Sequence, residues 1–134
     1  MPALRGRLFF ANVADPEEAK TINLADKRCR PCEGGVEPLT REQCRELLDG
    51  LDPSWTLSED GLSILRSFDF PAYDRTLWFV NAVAWIAMIE DHHPVLTIEY
   101  GRCHVSYTTH AINGLSDNDF ICAAKIDRLA GSTL

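Results

Sequence analysis

The sequence predicts an α+β domain in which a mostly antiparallel four-stranded sheet carries helices on one face. Two pairs of short segments with alternating polarity predict two β-hairpins, and three segments with helical periodicity predict helices, in the order α-β-β-α-β-β-α. Hairpins make neighbouring strands antiparallel, and the apolar face of such a sheet is covered by helices. A length of 134 residues and a hydrophobic fraction of 46% suit a single globular domain.

The first helix and the first hairpin have clear local signals. LTREQCRELLDGL begins with a capping box, Thr40 followed three residues later by Gln43, and Gly50 is the expected stop. In PSWTLSEDGLSILRSFDF, apolar and polar residues alternate on both sides of the SEDG turn, which predicts two strands. Arg66 is the one charged residue on the apolar face, and we expect it to pair with an acidic residue across the sheet.

The long central helix lies in RTLWFVNAVAWIAMIEDHH. Asp74 is the expected cap, and Pro94 predicts that the helix ends at or just before His92 and His93. Its apolar residues surround most of the helix axis, so we expect burial on more than one side, for instance at a subunit interface.

The second hairpin and the last helix complete the order of elements. VLTIEY and RCHVSYTTH form the predicted strands on either side of Gly101. GLSDNDFICAAKIDRLAG is the predicted last helix, with Ser116 as its cap and Gly131 as its end.

Residues 1–38 lack strong periodicity and are predicted to be an arm with one short helical turn, while residues 39–134 form the domain. The arm contains Cys29 and Cys32 in a CxxC motif, which could be half of a zinc site completed by another cysteine. A second CxxC pair is not present, so a pair of free thiols is the favoured interpretation.

Composition and charge limit the classes of function. A net charge of −7 provides no basic excess for nucleic-acid phosphates, so we expect no nucleic-acid partner. The longest apolar run, LWFVNAVAWIAMI, has 13 residues and is too short to span a membrane. Five cysteines without a secretory signal predict free thiols and a cytoplasmic protein.

Three histidines and one aspartate are the candidate site. His92 and His93 are expected at the end of the long helix, His110 at the end of a strand, and Asp119 in the first turn of the last helix. Imidazoles can give or take protons near neutral pH, and Asp119 could orient one of them. Three interpretations stand: a proton-transfer site, a metal site, or a polar helix end. A shared metal ion is disfavoured because adjacent side chains on a helix diverge by about 100°.

The same segment resembles the pterin-4a-carbinolamine dehydratase family over residues 39–129. The matching pattern is His92-His93-Pro94, five residues, Tyr100, nine residues, His110, eight residues, Asp119. The resemblance implies the family's α+β fold and dehydration of a 4a-hydroxytetrahydropterin to quinonoid dihydropterin, without a metal or organic cofactor. It also implies that the three histidines share the acid and base roles, that Asp119 orients an imidazole, and that Pro94 and Tyr100 help bind the pterin. Members of the family assemble into dimers or tetramers.

One position departs from the family's pattern and leaves a second hypothesis open. The family places an ionisable residue four positions before the first histidine, where this chain has Met88. If position 88 lies one helical turn below His92, the chain lacks a group that could accept a hydrogen bond from that imidazole. The alternative is therefore a member that has lost catalysis and binds a protein client. Relatives of this fold act as a Rubisco assembly factor, which would place the protein at a carboxysome, or as a dimerisation cofactor of a transcription factor, which is the weaker comparison.

Overall fold

The sheet has four antiparallel strands in the order β1-β2-β4-β3. In a computed structural model that describes residues 23–32 and 35–133, β1 is Thr56–Leu57, β2 is Ile64–Asp69, β3 is Val95–Ile98 and β4 is Arg102–Tyr107. Two sequence-adjacent hairpins meet along β2 and β4, where Ile64 is opposite Tyr107 and Asp69 is opposite Arg102. Both predicted hairpins are confirmed, and β3 is an edge strand.

Three helices complete the α+β fold that the sequence predicts. They are α1, Arg41–Leu48, α2, Tyr73–Glu90, and α3, Asp117–Thr133. A short 3-10 helix, Leu24–Asp26, lies in the arm, and a second, His110–Ile112, follows β4. His110 is therefore in a turn beyond the strand and not at the strand's end.

The core lies between one face of the sheet and the helices α2 and α3. Alternate residues of β2 and β4 point into it because successive side chains of a strand face opposite sides. Phe68 of β2 packs on Phe79 of α2 with ring centroids 4.4 Å apart. The buried apolar residues of these four elements are Ile64, Phe68, Cys103, Val105, Tyr107, Phe79, Val83, Phe120, Ile121, Cys122, Ala123, Ala124 and Ile126.

The helix caps agree with the sequence in one case and differ in two. The capping box of α1 is present, with the Thr40 and Gln43 side chains and backbones bonded reciprocally. Helix α2 starts from Ala72, and the predicted cap Asp74 lies inside its first turn. At α3, Ser116 precedes the helix, but its backbone N–H donates to the Asp119 carboxylate at 3.0 Å while its hydroxyl bonds Thr109.

Two further expectations need correction. Helix α3 continues through Gly131 to Thr133, so that glycine does not end it. Arg66 faces the core as predicted, but its main partner is Asp127 on α3, with Asp52 from the loop before β1 at 3.6 Å. The covering helix supplies the counter-charge because the neighbouring core-facing positions of β4 are apolar.

The described part of the arm lies along α3 and does not form a separate unit. Ala25 is buried, and Leu24 and Cys29 pack against the core. The predicted helical turn falls on Leu24–Asp26, and the rest of the predicted arm before residue 23 lies outside the described residues. Among the helices that the structure describes, none has the length and apolar character to cross a bilayer.

Candidate active site

The two adjacent histidines follow a tight C-terminal cap on α2. Asp91 has a left-handed backbone conformation with φ of 51°, which aspartate tolerates better than most residues. The His92 N–H then donates to the carbonyl of Ala87 at 3.1 Å. Helix α2 therefore ends at Glu90, as Pro94 predicts, and the cap turns the chain into β3 with both imidazoles at this turn.

Asp119 holds His92 from the first turn of α3. His92 Nε2 and Asp119 Oδ1 are 2.6 Å apart, and Asp119 is fully buried. Its second oxygen accepts bonds from the Thr109 hydroxyl at 2.8 Å and from the Ser116 N–H at 3.0 Å. A carboxylate with this many donors has a fixed orientation, so it also fixes the imidazole ring.

Tyr107 of β4 stacks against a face of the same imidazole. The His92 and Tyr107 rings are nearly parallel, at 8°, with centroids 5.8 Å apart. Burial raises the pKa of the Tyr107 phenol well above its ordinary value, as do the nearby Cys122 and Asp119. The phenol therefore stays protonated near neutral pH, and Tyr107 serves as a wall for His92.

His93 and His110 extend the site toward solvent. Their rings stack with centroids 6.3 Å apart, and both side chains are exposed. A cavity of about 310 Å³ brings all three predicted imidazoles together. Its lining comes from the α2–β3 turn, the β4–α3 loop, the start of α3 and the arm: Asp91, His92, His93, Thr108, Thr109, His110, Ala111, Asn118, Arg30, Pro31 and Cys32.

The structure does not bring Tyr100 to this cavity within one chain. Tyr100 lies in the turn between β3 and β4, stacked on Tyr73 at 6.3 Å, at the opposite end of β3 from His93. Pro94 is next to His93 and directs the chain into β3, but it is not among the residues that line the cavity.

Met88 also lies away from the cavity. Its side chain is 76% exposed on the outer face of α2. The sequence predicts that Met88 lies one helical turn below His92, but the helix ends at Glu90, and His92 is bonded to Asp119 instead. That geometric expectation is wrong, because the left-handed cap at Asp91 takes His92 out of the helix.

Sequence reasoning missed the contribution of the arm. Arg30, Pro31 and Cys32 line the cavity together with Asn118, and neither periodicity nor the CxxC motif indicates this role. Among the described residues, no group of three or more His, Cys, Asp or Glu side chains is arranged to hold a metal ion. The chemistry available at the cavity is proton transfer by imidazoles, one of which is fixed by a buried carboxylate.

The model of the family described as pterin 4 alpha carbinolamine dehydratase matches residues 37–129. This chain belongs to that family. The matched segment contains α1, α2, the whole sheet, α3 as far as residue 129, and the three histidines with Asp119.

Bacterial relatives that carry the name pterin-4-alpha-carbinolamine dehydratase match over a longer stretch. One from Nitrosomonas eutropha is 54% identical over 107 residues, which are 80% of this chain and 93% of that protein. One from Legionella pneumophila (strain Lens) is 51% identical over 109 residues, 81% of this chain and 96% of that protein. A stretch of 107 residues in a chain of 134 must include residues 28–107, so part of the arm lies within the match.

Two solved structures share the dehydratase fold. A transcriptional coactivator/pterin dehydratase from Brucella melitensis superposes with a TM-score of 0.67 and 33% identity, covering 71% of this chain and all of that one. A pterin dehydratase-like protein described as a RuBisCO assembly factor in the alpha-carboxysome has a TM-score of 0.51 and 22% identity, covering 60% and 93%. The second similarity shows the fold alone.

Proposed function

We propose that this chain dehydrates a 4a-hydroxytetrahydropterin to quinonoid dihydropterin in the cavity lined by His92, His93 and His110. The observation that carries the proposal is the arrangement of these groups: one imidazole is fixed by buried Asp119 at 2.6 Å, and two more stand beside it at the solvent side. The family to which the chain belongs supplies the reaction class. We place this activity in the cytoplasm.

The reaction needs only proton transfers that imidazoles perform. As the bond between C4a and the hydroxyl oxygen breaks, an imidazolium donates a proton to that oxygen and water leaves. A neutral imidazole takes the proton from the neighbouring ring nitrogen, and the new C=N bond forms from the freed electron pair. The two transfers leave the total number of protons on the protein unchanged, and solvent exchange at exposed His93 and His110 restores the starting state.

Asp119 and Tyr107 act on this chemistry through His92. The Asp119 carboxylate accepts a hydrogen bond from Nε2 of His92. This leaves Nδ1 as the imidazole atom that can exchange a proton with substrate. Stacking on Tyr107 limits rotation of the ring. The position of one proton-transfer group is therefore set before substrate binds, which lowers the reorganisation needed in the transition state.

A stopped-flow assay of carbinolamine dehydration tests the proposal. We expect the protein to accelerate the reaction well above the buffer rate. His93→Ala and His110→Ala should each lower the catalysed rate at least about tenfold, as is typical for loss of a general acid or base. His104→Ala is the matched control, because His104 lies on the open face of the sheet beside Ser67. A folded wild-type protein with no more than the buffer rate would rule the proposal out.

The position of Met88 supports retained activity. Its side chain faces away from the cavity, so a carboxylate there is not required to hold His92 in this chain. We expect Met88→Glu to change kcat/KM by less than about threefold, a difference under about 1 kcal/mol in transition-state stabilisation. A tenfold gain would show that the wild-type residue limits the reaction.

We also propose that α2 mediates self-association into a dimer or tetramer. Its outer face carries Trp78, Trp85, Met88 and Ile89, and Trp85 is 63% exposed. An apolar stripe with two exposed tryptophans is unusual on the surface of a monomer. Trp85→Glu should reduce the mass measured by light scattering, whereas Asp74→Asn on the first turn of the same helix should not. A monomeric wild-type protein at micromolar concentration would contradict this proposal.

The same stripe favours a second candidate function, which is binding of a protein client such as Rubisco at a carboxysome. The structural neighbour described as a RuBisCO assembly factor has this fold. The two functions use different surfaces, so they can be separated: Trp85→Glu should abolish client binding, and His93→Ala should not. A yield of assembled Rubisco that is the same with and without the protein would remove this candidate.

A further inference from the structure

We propose that residues 30–32 of the arm form a wall that contacts the ligand in the histidine cavity, with Asn118 as the residue that positions this wall. The inference rests on the proposed function, since it concerns the same cavity. It assigns ligand contacts to a segment that lies before the matched family region of residues 37–129.

The arm is fixed to the end of α2 by a buried carboxylate. Glu90 accepts a hydrogen bond from the Cys29 N–H at 2.8 Å, and its other oxygen lies 3.3 Å from Arg28 Nε. Lys125 of α3 approaches the same oxygen at 3.4 Å. Because Glu90 is two residues before His92, one side chain ties the arm to the turn that carries the histidines.

Asn118 fixes the next residues of the arm to α3. Its Oδ1 accepts a hydrogen bond from the Arg30 N–H at 3.0 Å, and its Nδ2 donates a hydrogen bond to the Arg30 carbonyl at 2.6 Å. Nδ2 also lies 3.3 Å from Cys32 Sγ. The side-chain amide thus bonds both backbone groups of one residue, as a neighbouring β-strand would, and holds the arm against the cavity.

Asn118 itself lines the cavity and precedes Asp119, the carboxylate that holds His92. The arm and the imidazole are therefore positioned by adjacent residues of one helical turn. A ligand that reaches His92 between His93 and His110 meets Arg30, Pro31 and Cys32 on the remaining side. The planar pterin ring has hydrogen-bonding edges and apolar faces, which suit a guanidinium, a proline ring and a thiol.

The two cysteines of the arm should differ in their reactivity toward alkylating reagents, so contact between the wall and a ligand can be measured. Cys29 Sγ lies 3.5 Å from Cys122 Sγ under the arm, and this hydrogen bond together with burial raises the pKa of Cys29 far above its ordinary value. Cys29 therefore stays a thiol and reacts slowly with alkylating reagents. Cys32 is half-buried and lines the cavity, so a bound ligand should shield it.

Alkylation of the full-length protein with and without biopterin, a stable oxidised pterin, tests the inference. Mass spectrometry assigns each modified cysteine, and quenching of biopterin fluorescence measures binding independently. We expect saturating biopterin to slow modification of Cys32 at least tenfold. Binding without protection of Cys32 would overturn the wall and leave the proposed function intact, whereas absence of binding would overturn both.

A steric variant gives a second test with a matched control. Cys32→Trp should fill the cavity and raise the Kd for biopterin and the KM at least tenfold while changing kcat less. Val36→Trp changes an exposed residue of the same segment that does not line this cavity, so it should stay within twofold of wild type. Equal effects of the two variants would contradict the inference.

Asn118→Ala tests the positioning role. It removes the amide bonds to Arg30, so we expect faster alkylation of Cys29 by at least fivefold and a higher Kd for biopterin, with an unchanged circular dichroism spectrum. Asp117→Asn, one residue earlier in the same turn and exposed, should leave both values unchanged. Slow Cys29 alkylation in a folded Asn118→Ala protein would show that the arm does not depend on this residue.

Discussion

Replacing Asp119 by asparagine should weaken both the candidate site and the start of α3. The carboxylate accepts three hydrogen bonds, from His92 at 2.6 Å, Thr109 at 2.8 Å and the Ser116 N–H at 3.0 Å. An amide of the same shape keeps one acceptor oxygen and replaces the other with an NH₂ group, so at least one of these bonds is lost. A hydrogen bond to a charged group contributes about 1.5–3 kcal/mol.

The expected magnitude follows from which bond is lost. If the amide leaves the His92 bond unmade, the ring loses its fixed orientation, and about 1.5–3 kcal/mol corresponds to a fall in kcat/KM of roughly 10–100-fold. If it leaves the Thr109 and Ser116 bonds unmade, the cost appears mainly in the free energy of unfolding, at about 1–3 kcal/mol. Stopped-flow kinetics and urea unfolding of the same preparation separate these two outcomes.

Asp117→Asn is the control, because it makes the same change of charge two residues away at an exposed position. It should change neither quantity by more than about 0.5 kcal/mol, the usual range for a surface substitution. An Asp119→Asn protein with wild-type kcat/KM and wild-type stability would show that the buried carboxylate does not organise the site.

Two further predictions concern the parts of the fold that frame the site. Burial alone would raise the pKa of Glu90, but the Cys29 N–H and the charges of Lys125 and Arg28 outweigh it and hold the pKa below 4.5. Ionised Glu90 therefore stabilises the arm above pH 4.5, and this stabilisation is lost as the pH falls through the lower pKa that Glu90 has in the folded protein. Hydrogen exchange of the Cys29 amide should become faster as the stabilisation is lost. Glu90→Gln should remove this pH dependence of the exchange rate. Asp127→Ala should cost about 3 kcal/mol of unfolding free energy, because it leaves half-buried Arg66 and the Trp55 indole N–H without their short-range acceptor. Asp69→Ala, which breaks the exposed pair with Arg102, should cost less than about 1 kcal/mol by the same urea titration.

Local signals in the sequence were sufficient for the element order and for several ends of elements. The Thr40 capping box, the two hairpins and the end of α2 before Pro94 depend on neighbouring residues, whose preferences are fixed by backbone geometry and short-range hydrogen bonds. Asp74 and Gly131 show the limit of the same signals. One residue with a capping or helix-breaking preference therefore does not by itself fix the end of a helix.

The site was predictable only where it depends on spacing along the chain. The resemblance to the family's pattern implies a shared site for the histidines and Asp119, and the structure brings these four side chains together. The wall formed by the arm was not predictable, because it depends on pairs such as Cys29 with Glu90 and Arg30 with Asn118, which are 61 and 88 residues apart. The expectation that Met88 lies one helical turn below His92 failed for a local reason, since the left-handed conformation of Asp91 takes His92 out of the helix.

Nuclear magnetic resonance of the four imidazoles during a titration with biopterin tests whether the pterin occupies the cavity shared by His92, His93 and His110. The chain contains an internal reference in His104, which lies on the open face of the sheet. We predict that the ring resonances of the first three shift together with one binding constant and that those of His104 do not move. If the resonances of His92, His93 and His110 stay unchanged at saturating pterin, or if only those of His104 shift, the pterin does not bind in this cavity.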